Sequence, residues 1–222
     1  MIPALTRGEG IGYLLLVISY MWRVLLFLSV LPIAAGLLLR WWFGLRVLAA
    51  RGRRECRCDP ERWEQVLTLP LKPLAPSKTN PEPSASTASP TSLTSAELGR
   101  QVRLAALAQW KLREPKLAAS RESARRFGLA VPPLSAMVAV FAAILAKIPV
   151  FGAIVIFLLA TALAVVFGLL SLGSELRAIA ITAKSLRTSH LFPRRDDEDA
   201  IIECAIAQAW FETVPPVLRL LQ

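Results

Sequence analysis

The chain has 222 residues, of which 55% are hydrophobic and 19% charged, and a formal net charge of +10. Soluble globular domains are roughly 45–50% apolar, and here the excess is concentrated in two blocks, which excludes one large soluble core and points to membrane spans. A single histidine excludes a metal centre built mainly from imidazoles, and three cysteines (Cys56, Cys58 and Cys204) exclude a disulfide framework.

The first block runs from Ile11 to Leu39, broken only by Arg23. A span needs about 20 apolar residues, which is met if Met21 and Trp22 are included and Arg23 snorkels to the interface. Its length, the lack of a small-residue cleavage site and the arginine-rich stretch after it predict an anchor, not a signal peptide. Trp41 and Trp42 stand where an interfacial aromatic belt belongs. Residues 1–44 are therefore expected to form the first span and its belt.

Residues 45–72 form a short basic segment. Asp59-Pro60 is a turn signal, and "VLTLPL" alternates like a short strand ending at proline. Residues 73–94 are rich in Pro, Ser and Thr and too poor in bulky apolar side chains to order themselves, so a disordered linker is expected.

Residues 95–127 are expected to be cytoplasmic helices. In "SAELGRQVRLAALAQWKLRE", Leu98, Val102, Ala105, Ala106, Gln109 and Leu112 fall near one helical face, and Pro115 ends the helix. "KLAASRESARRFG" then makes a basic approach to the membrane. Residues 128–174 contain two apolar runs broken at Lys147-Ile148-Pro149, a transmembrane helical hairpin. The tail, 175–222, is expected to hold cytoplasmic or peripheral helices, one opening on the acidic run Asp196–Asp199.

The basic excess lies between the hydrophobic blocks, the positive-inside pattern of a cytoplasmic loop. It puts the N-terminus outside and the C-terminus inside a plasma membrane. No helix-turn-helix, zinc-finger or aromatic RNA-binding signature accompanies the basic residues, so nucleic acid is not an expected partner. The fold class is mainly α: a multi-span helical membrane protein with a small cytoplasmic region.

The sequence has no glycine-rich phosphate loop, nucleophile elbow or Ser/His/Asp arrangement. Two acidic positions stand out. Glu97 lies in the first turn of the helix after the linker, and Glu175 lies where the last span ends. Thr94-x-x-Glu97 fits a capping box, which would explain Glu97 without chemistry. Glu175 fits an interfacial charge paired with Arg177 or a neighbouring cation.

Three strings nevertheless occur in an informative order: "CRCDPERWEQVLTLP", "AELGRQ" and "GSELRAIA". Over roughly 50–222 the chain resembles the membrane-bound neutral zinc metallopeptidases of bacteria. That family has an N-terminal span, an Asp-Pro string, a short strand, a His-Glu-x-Gly-His helix, a two-span hairpin and a late glutamate as third zinc ligand. The resemblance implies that Glu97 occupies the position of the catalytic base and Glu175 that of the third ligand. The two histidine positions are Ala96 and Arg100 here. Alanine cannot ligate, a guanidinium repels a dication, and catalytic zinc normally has three protein ligands. The expectation is a pseudopeptidase without zinc or other cofactor, with Arg100 filling the metal's place against Glu97 or Glu175. It would bind a membrane-protein partner or an active paralogue in the bacterial inner membrane. A scaffold whose basic loop docks on anionic lipid, and a residual metal-dependent peptidase, are the competing readings.

Overall fold

A computed structural model describes residues 7–58, 60–67, 91–145, 149–215 and 218. The protein is mainly α-helical. Its helices are α1 (Arg7–Leu39), α2 (Arg46–Arg51), α3 (Pro60–Leu67), α4 (Ser95–Arg113), α5 (Pro115–Leu145), α6 (Val150–Ser189) and α7 (Arg195–Thr213), with a π-helical stretch, Arg40–Leu45, between α1 and α2. Two short strands, β1 (Glu55–Cys58) and β2 (Thr91–Thr94), pair antiparallel with Cys56 opposite Leu93. Three helical segments are long and apolar enough to cross a membrane: Arg23–Arg51, Pro115–Leu145 and Val150–Ser189.

The chain divides into two compact units. One comprises residues 1–37, 124–168 and 215–222. Its helices bury small side chains, including Ala139, Ala153, Ala162 and Ala164, and expose large apolar ones such as Phe27, Leu134, Phe141 and Ile144. That inversion of the soluble pattern is what lipid-facing helices require, since small residues let backbones approach and the large ones meet hydrocarbon. Gly36 shows how closely they approach: a Cβ there would lie 2.6 Å from Val165 Cγ1. Phe127 and Phe167 meet edge to face with centroids 5.2 Å apart. Pro132 and Pro133 do not interrupt the second span. They lie inside a continuous α5, where a transmembrane helix tolerates the freed backbone groups.

The other unit comprises residues 38–123 and 169–214. Its core gathers Trp63, Leu67, Leu98, Val102, Ile179, Leu186, Ile201 and Ala205, all almost fully buried. The expected strand at "VLTLPL" is corrected. Val66 and Leu67 belong to α3, which starts on Pro60 as a helix N1 proline readily does, while residues 68–71 lie outside the described residues. The strand is instead Glu55–Cys58, whose alternation buries Cys56 and Cys58 on one face. The linker is shortened as well: residues 91–94 form β2 and lead directly into α4, and residues 73–90 lie outside the described residues. The helix of the first span does not end at the tryptophans. The helix passes through the π-helical stretch and reaches Arg51, while Trp41 and Trp42 remain half exposed.

Helix α7 starts at Arg195, with Asp196, Asp197 and Glu198 in its first turn complementing the dipole. It is far from peripheral to its unit. Ile201, Cys204, Ala205, Ala207 and Ala209 are each at most 1% exposed. Its alanines allow close neighbours: a Cβ on Gly44 of the π-helical stretch would lie 3.3 Å from the Ala207 carbonyl oxygen. Phe43 stacks on Trp210, with centroids 5.1 Å apart, and the Arg40 guanidinium lies over the Phe211 ring at 4.3 Å. A cation–π contact of this kind lets a buried guanidinium keep part of its electrostatic stabilisation. On α4, Leu98, Val102, Ala105 and Ala106 face the core as expected, but Leu112 is 85% exposed.

Candidate functional site

The N-terminus of α4 is closed by its own capping groups. Thr94 is extended, its Oγ1 accepts from the Glu97 amide at 3.3 Å, and the Glu97 carboxylate accepts from the Thr94 amide at 3.3 Å. This is the reciprocal capping box predicted from Thr94-x-x-Glu97. Neighbouring donors are satisfied by the turn after α2: the Ser95 amide donates to the Arg54 carbonyl at 2.8 Å and the Ala96 amide to the Gly52 carbonyl at 3.2 Å. The Ser95 hydroxyl donates to the Arg51 carbonyl. Orphan N–H groups that could have bound a ligand are therefore engaged within the fold.

The positions that the resemblance assigned to zinc are used otherwise. Ala96 packs toward Gly52, whose added Cβ would sit 3.3 Å from the Ala96 methyl, and its carbonyl accepts from Gln208 Nε2 at 2.6 Å. Arg100 points to solvent. Glu175 is buried and does not meet Arg100 or Arg177; its partners are Arg103 and Arg121. Arg103 Nε donates to Glu175 Oε1 at 2.6 Å, and Arg121 Nη2 to Oε2 at 2.7 Å. The expected pairing of Arg100 with Glu97 or Glu175 is thus corrected: Glu175 pairs with Arg103 and Arg121.

Arg103 also forks onto Glu212, with Nη1 and Nη2 each 2.8 Å from a carboxylate oxygen. The four side chains form a chain, Glu212–Arg103–Glu175–Arg121, that ties α7, α4, α6 and α5 together. Arg103 is 3% exposed and Glu175 5%. Burial works against the Arg103 charge, and the Glu212 hydrogen bond and the Glu175 charge outweigh it, holding the guanidinium above its ordinary range. Two guanidiniums against two carboxylates leave the cluster neutral, and the Arg103–Glu212 contact has the bidentate geometry that arginine favours.

Zinc does not fit these residues. Ala96 supplies a methyl, Arg100 a permanent cation, and Glu175 has both oxygens committed to guanidiniums. Among the described residues no three His, Cys, Asp or Glu side chains gather as a ligand set. Glu97 and Arg103 are six residues apart on α4, about 9 Å of helix rise, so the base position and the Glu175 carboxylate do not converge on one point.

The sequence reading missed Arg103, Arg121 and Glu212. One signal for Arg103 was available: it shares a stripe with Gly99, Ala106 and Trp110 at helical spacing, and all four are buried.

The three cysteines are buried and are not joined in a disulfide. Burial and the nearby Asp197 carboxylate push the Cys56 thiol up to about 11 from 9.0, and burial raises Cys204 as well. Thiolate is the reactive form, so both are expected to resist alkylation in the folded protein and to label on unfolding. A raised thiol pKa means the folded state holds its proton longer than the unfolded state. The Cys56 contribution to stability is therefore full below pH 9.0 and lost as pH rises through about 11. Unfolding midpoints of wild type and Cys56→Ala, compared across that range, check this: the wild-type margin should shrink with rising pH, and a constant margin would contradict it.

Comparison with family models, with curated proteins and with solved structures finds no match for this chain. The class that the fold defines is a helical membrane protein, and its polar centre is an ion-pair cluster.

Proposed function

We propose that the chain is a metal-free relative of the membrane zinc metallopeptidases it resembles, and that it works by binding a membrane-protein partner and not by cleaving peptides. The observation that carries this reading is the commitment of both Glu175 oxygens to Arg103 and Arg121. A carboxylate so held has both oxygens engaged by cations, which already supply the positive charge a metal would bring. Kinship is supported by β2 leading straight into the helix that bears Glu97, the order of elements the resemblance implies. The concentration of basic residues between the apolar blocks supports placement in a bacterial inner membrane, with the N-terminus outside and the C-terminus cytoplasmic.

The test uses the purified full chain in detergent. A ligand that binds only the native state raises the unfolding temperature by mass action. Added zinc is expected to leave that temperature unchanged, and no cleavage of an unstructured protein substrate is expected. A zinc-dependent stabilisation accompanied by peptide cleavage would overturn the proposal.

A further inference from the structure

Helix α4 has a second apolar face. Its inner arc, Leu98, Gly99, Val102, Ala105, Ala106 and Trp110, is buried in the core of its unit. Its outer arc carries Leu104 at 52% exposure, an exposed Ala108 and Leu112 at 85%. The i, i+4, i+8 spacing keeps these three on one side. Exposed Arg100 and Lys111 interleave with them, and beyond the helix end come exposed Lys116 and a Leu117 that is 53% exposed. Glu97, the acidic side chain on the same arc, is tied into the capping box. An outward face built from leucines and cations needs a cover that is apolar beneath and anionic at its edge.

The ion-pair chain ties α4 to the end of the apolar run of α6. Glu175 directly follows the uncharged run of α6 that ends at Ser174, the point at which a spanning helix leaves hydrocarbon. Arg103, in the middle of α4, holds Glu175 at 2.6 Å. Leu104 is the next residue. We propose that α4 is an interfacial helix: Leu104, Ala108 and Leu112 insert at the acyl boundary of an anionic bilayer, while Arg100, Lys111 and Lys116 reach lipid phosphates. Long basic side chains bury their stems on apolar surface and keep their heads at the headgroups, and each basic residue near an anionic surface adds attraction.

The test is fluorescence quenching of the full chain in nanodiscs containing phosphatidylglycerol. Cys56, Cys58 and Cys204 are at most 1% exposed, so introduced cysteines label selectively. An environment-sensitive fluorophore is placed at Leu104→Cys, at Leu112→Cys and, as control, at Ser185→Cys on an exposed position of α6. Labels at 104 and 112 are expected to be quenched several-fold more by a shallow lipid-borne quencher than the label at 185, and several-fold less by aqueous iodide. The difference should shrink in purely zwitterionic nanodiscs and in the Arg100→Gln, Lys111→Gln, Lys116→Gln triple variant. Iodide access equal to that at 185 would overturn the proposal. So would shielding from both quenchers, which is the signature of a protein partner or a second copy. Lipid quenching indifferent to lipid charge and to the triple variant would overturn the anionic preference.

Discussion

Glu175→Ala is expected to destabilise the protein by about 3–5 kcal/mol, the range for removing one partner from a buried ion pair. The carboxylate joins two guanidiniums, one 3% and one 12% exposed, so its loss leaves like charges facing each other out of water. Arg103 would keep Glu212, but Arg121 would lose the carboxylate that holds it by both Nε and Nη2. The order of effects follows from who is orphaned. Arg103→Met should cost less than Glu175→Ala, because Glu175 keeps Arg121. Glu212→Gln should cost least, because Glu212 is 37% exposed and water can replace what is lost. Thermal or denaturant unfolding of the detergent-solubilised variants measures this. Equal midpoints for all three would mean that the cluster acts as separate surface pairs, each contributing about 0–1 kcal/mol.

Gly99→Ala is expected to be strongly destabilising. Its Cβ would stand 2.8 Å from Cys204 Cβ and 2.9 Å from the Ala205 amide nitrogen. Cβ and backbone atoms have no rotamer with which to move aside, so α4 and α7 must separate as whole helices. Forced overpacking of this kind typically costs about 1–3 kcal/mol. The separation would also stretch the Arg103 fork onto Glu212, since both contacts join the same two helices. Gly128→Ala is the control, because nothing lies within 4 Å of its added Cβ and alanine is the better helix former. A Gly99→Ala protein as stable as Gly128→Ala would contradict the close α4–α7 packing.

Much of the architecture was legible in the sequence because it rests on long-range apolar patterning and on local capping. Apolar runs of spanning length marked all three membrane helices, and Thr94-x-x-Glu97 marked the start of α4. The failures have local physical causes. "VLTLPL" alternates, but Val66 lies in a turn already committed to helix by Pro60, so the strand moved upstream to the alternation of Cys56 and Cys58. Periodicity put Leu112 on the core face, close in phase to buried Ala105, yet it lies in the last turn of α4 and is exposed. The identity of Glu175's partners depended on which arginines tertiary packing brings near. Arg100 and Arg177 were closer to the motifs in sequence, whereas Arg103 and Arg121 were closer in space. An arginine on a stripe of buried residues is the one feature of the cluster that a sequence displays, and it needs a carboxylate from elsewhere in the chain to complete it.

The central claim is that both oxygens of Glu175, the residue the resemblance would make a zinc ligand, are held by Arg103 and Arg121. Elemental analysis of the full chain, expressed with zinc in excess and purified in detergent without chelator, tests it most directly, with Glu175→Gln prepared in parallel. Zinc well below one equivalent in both proteins is the predicted result. Stoichiometric zinc in the wild type that disappears in Glu175→Gln would contradict the account, because it would make Glu175 a ligand and not the bridge between Arg103 and Arg121.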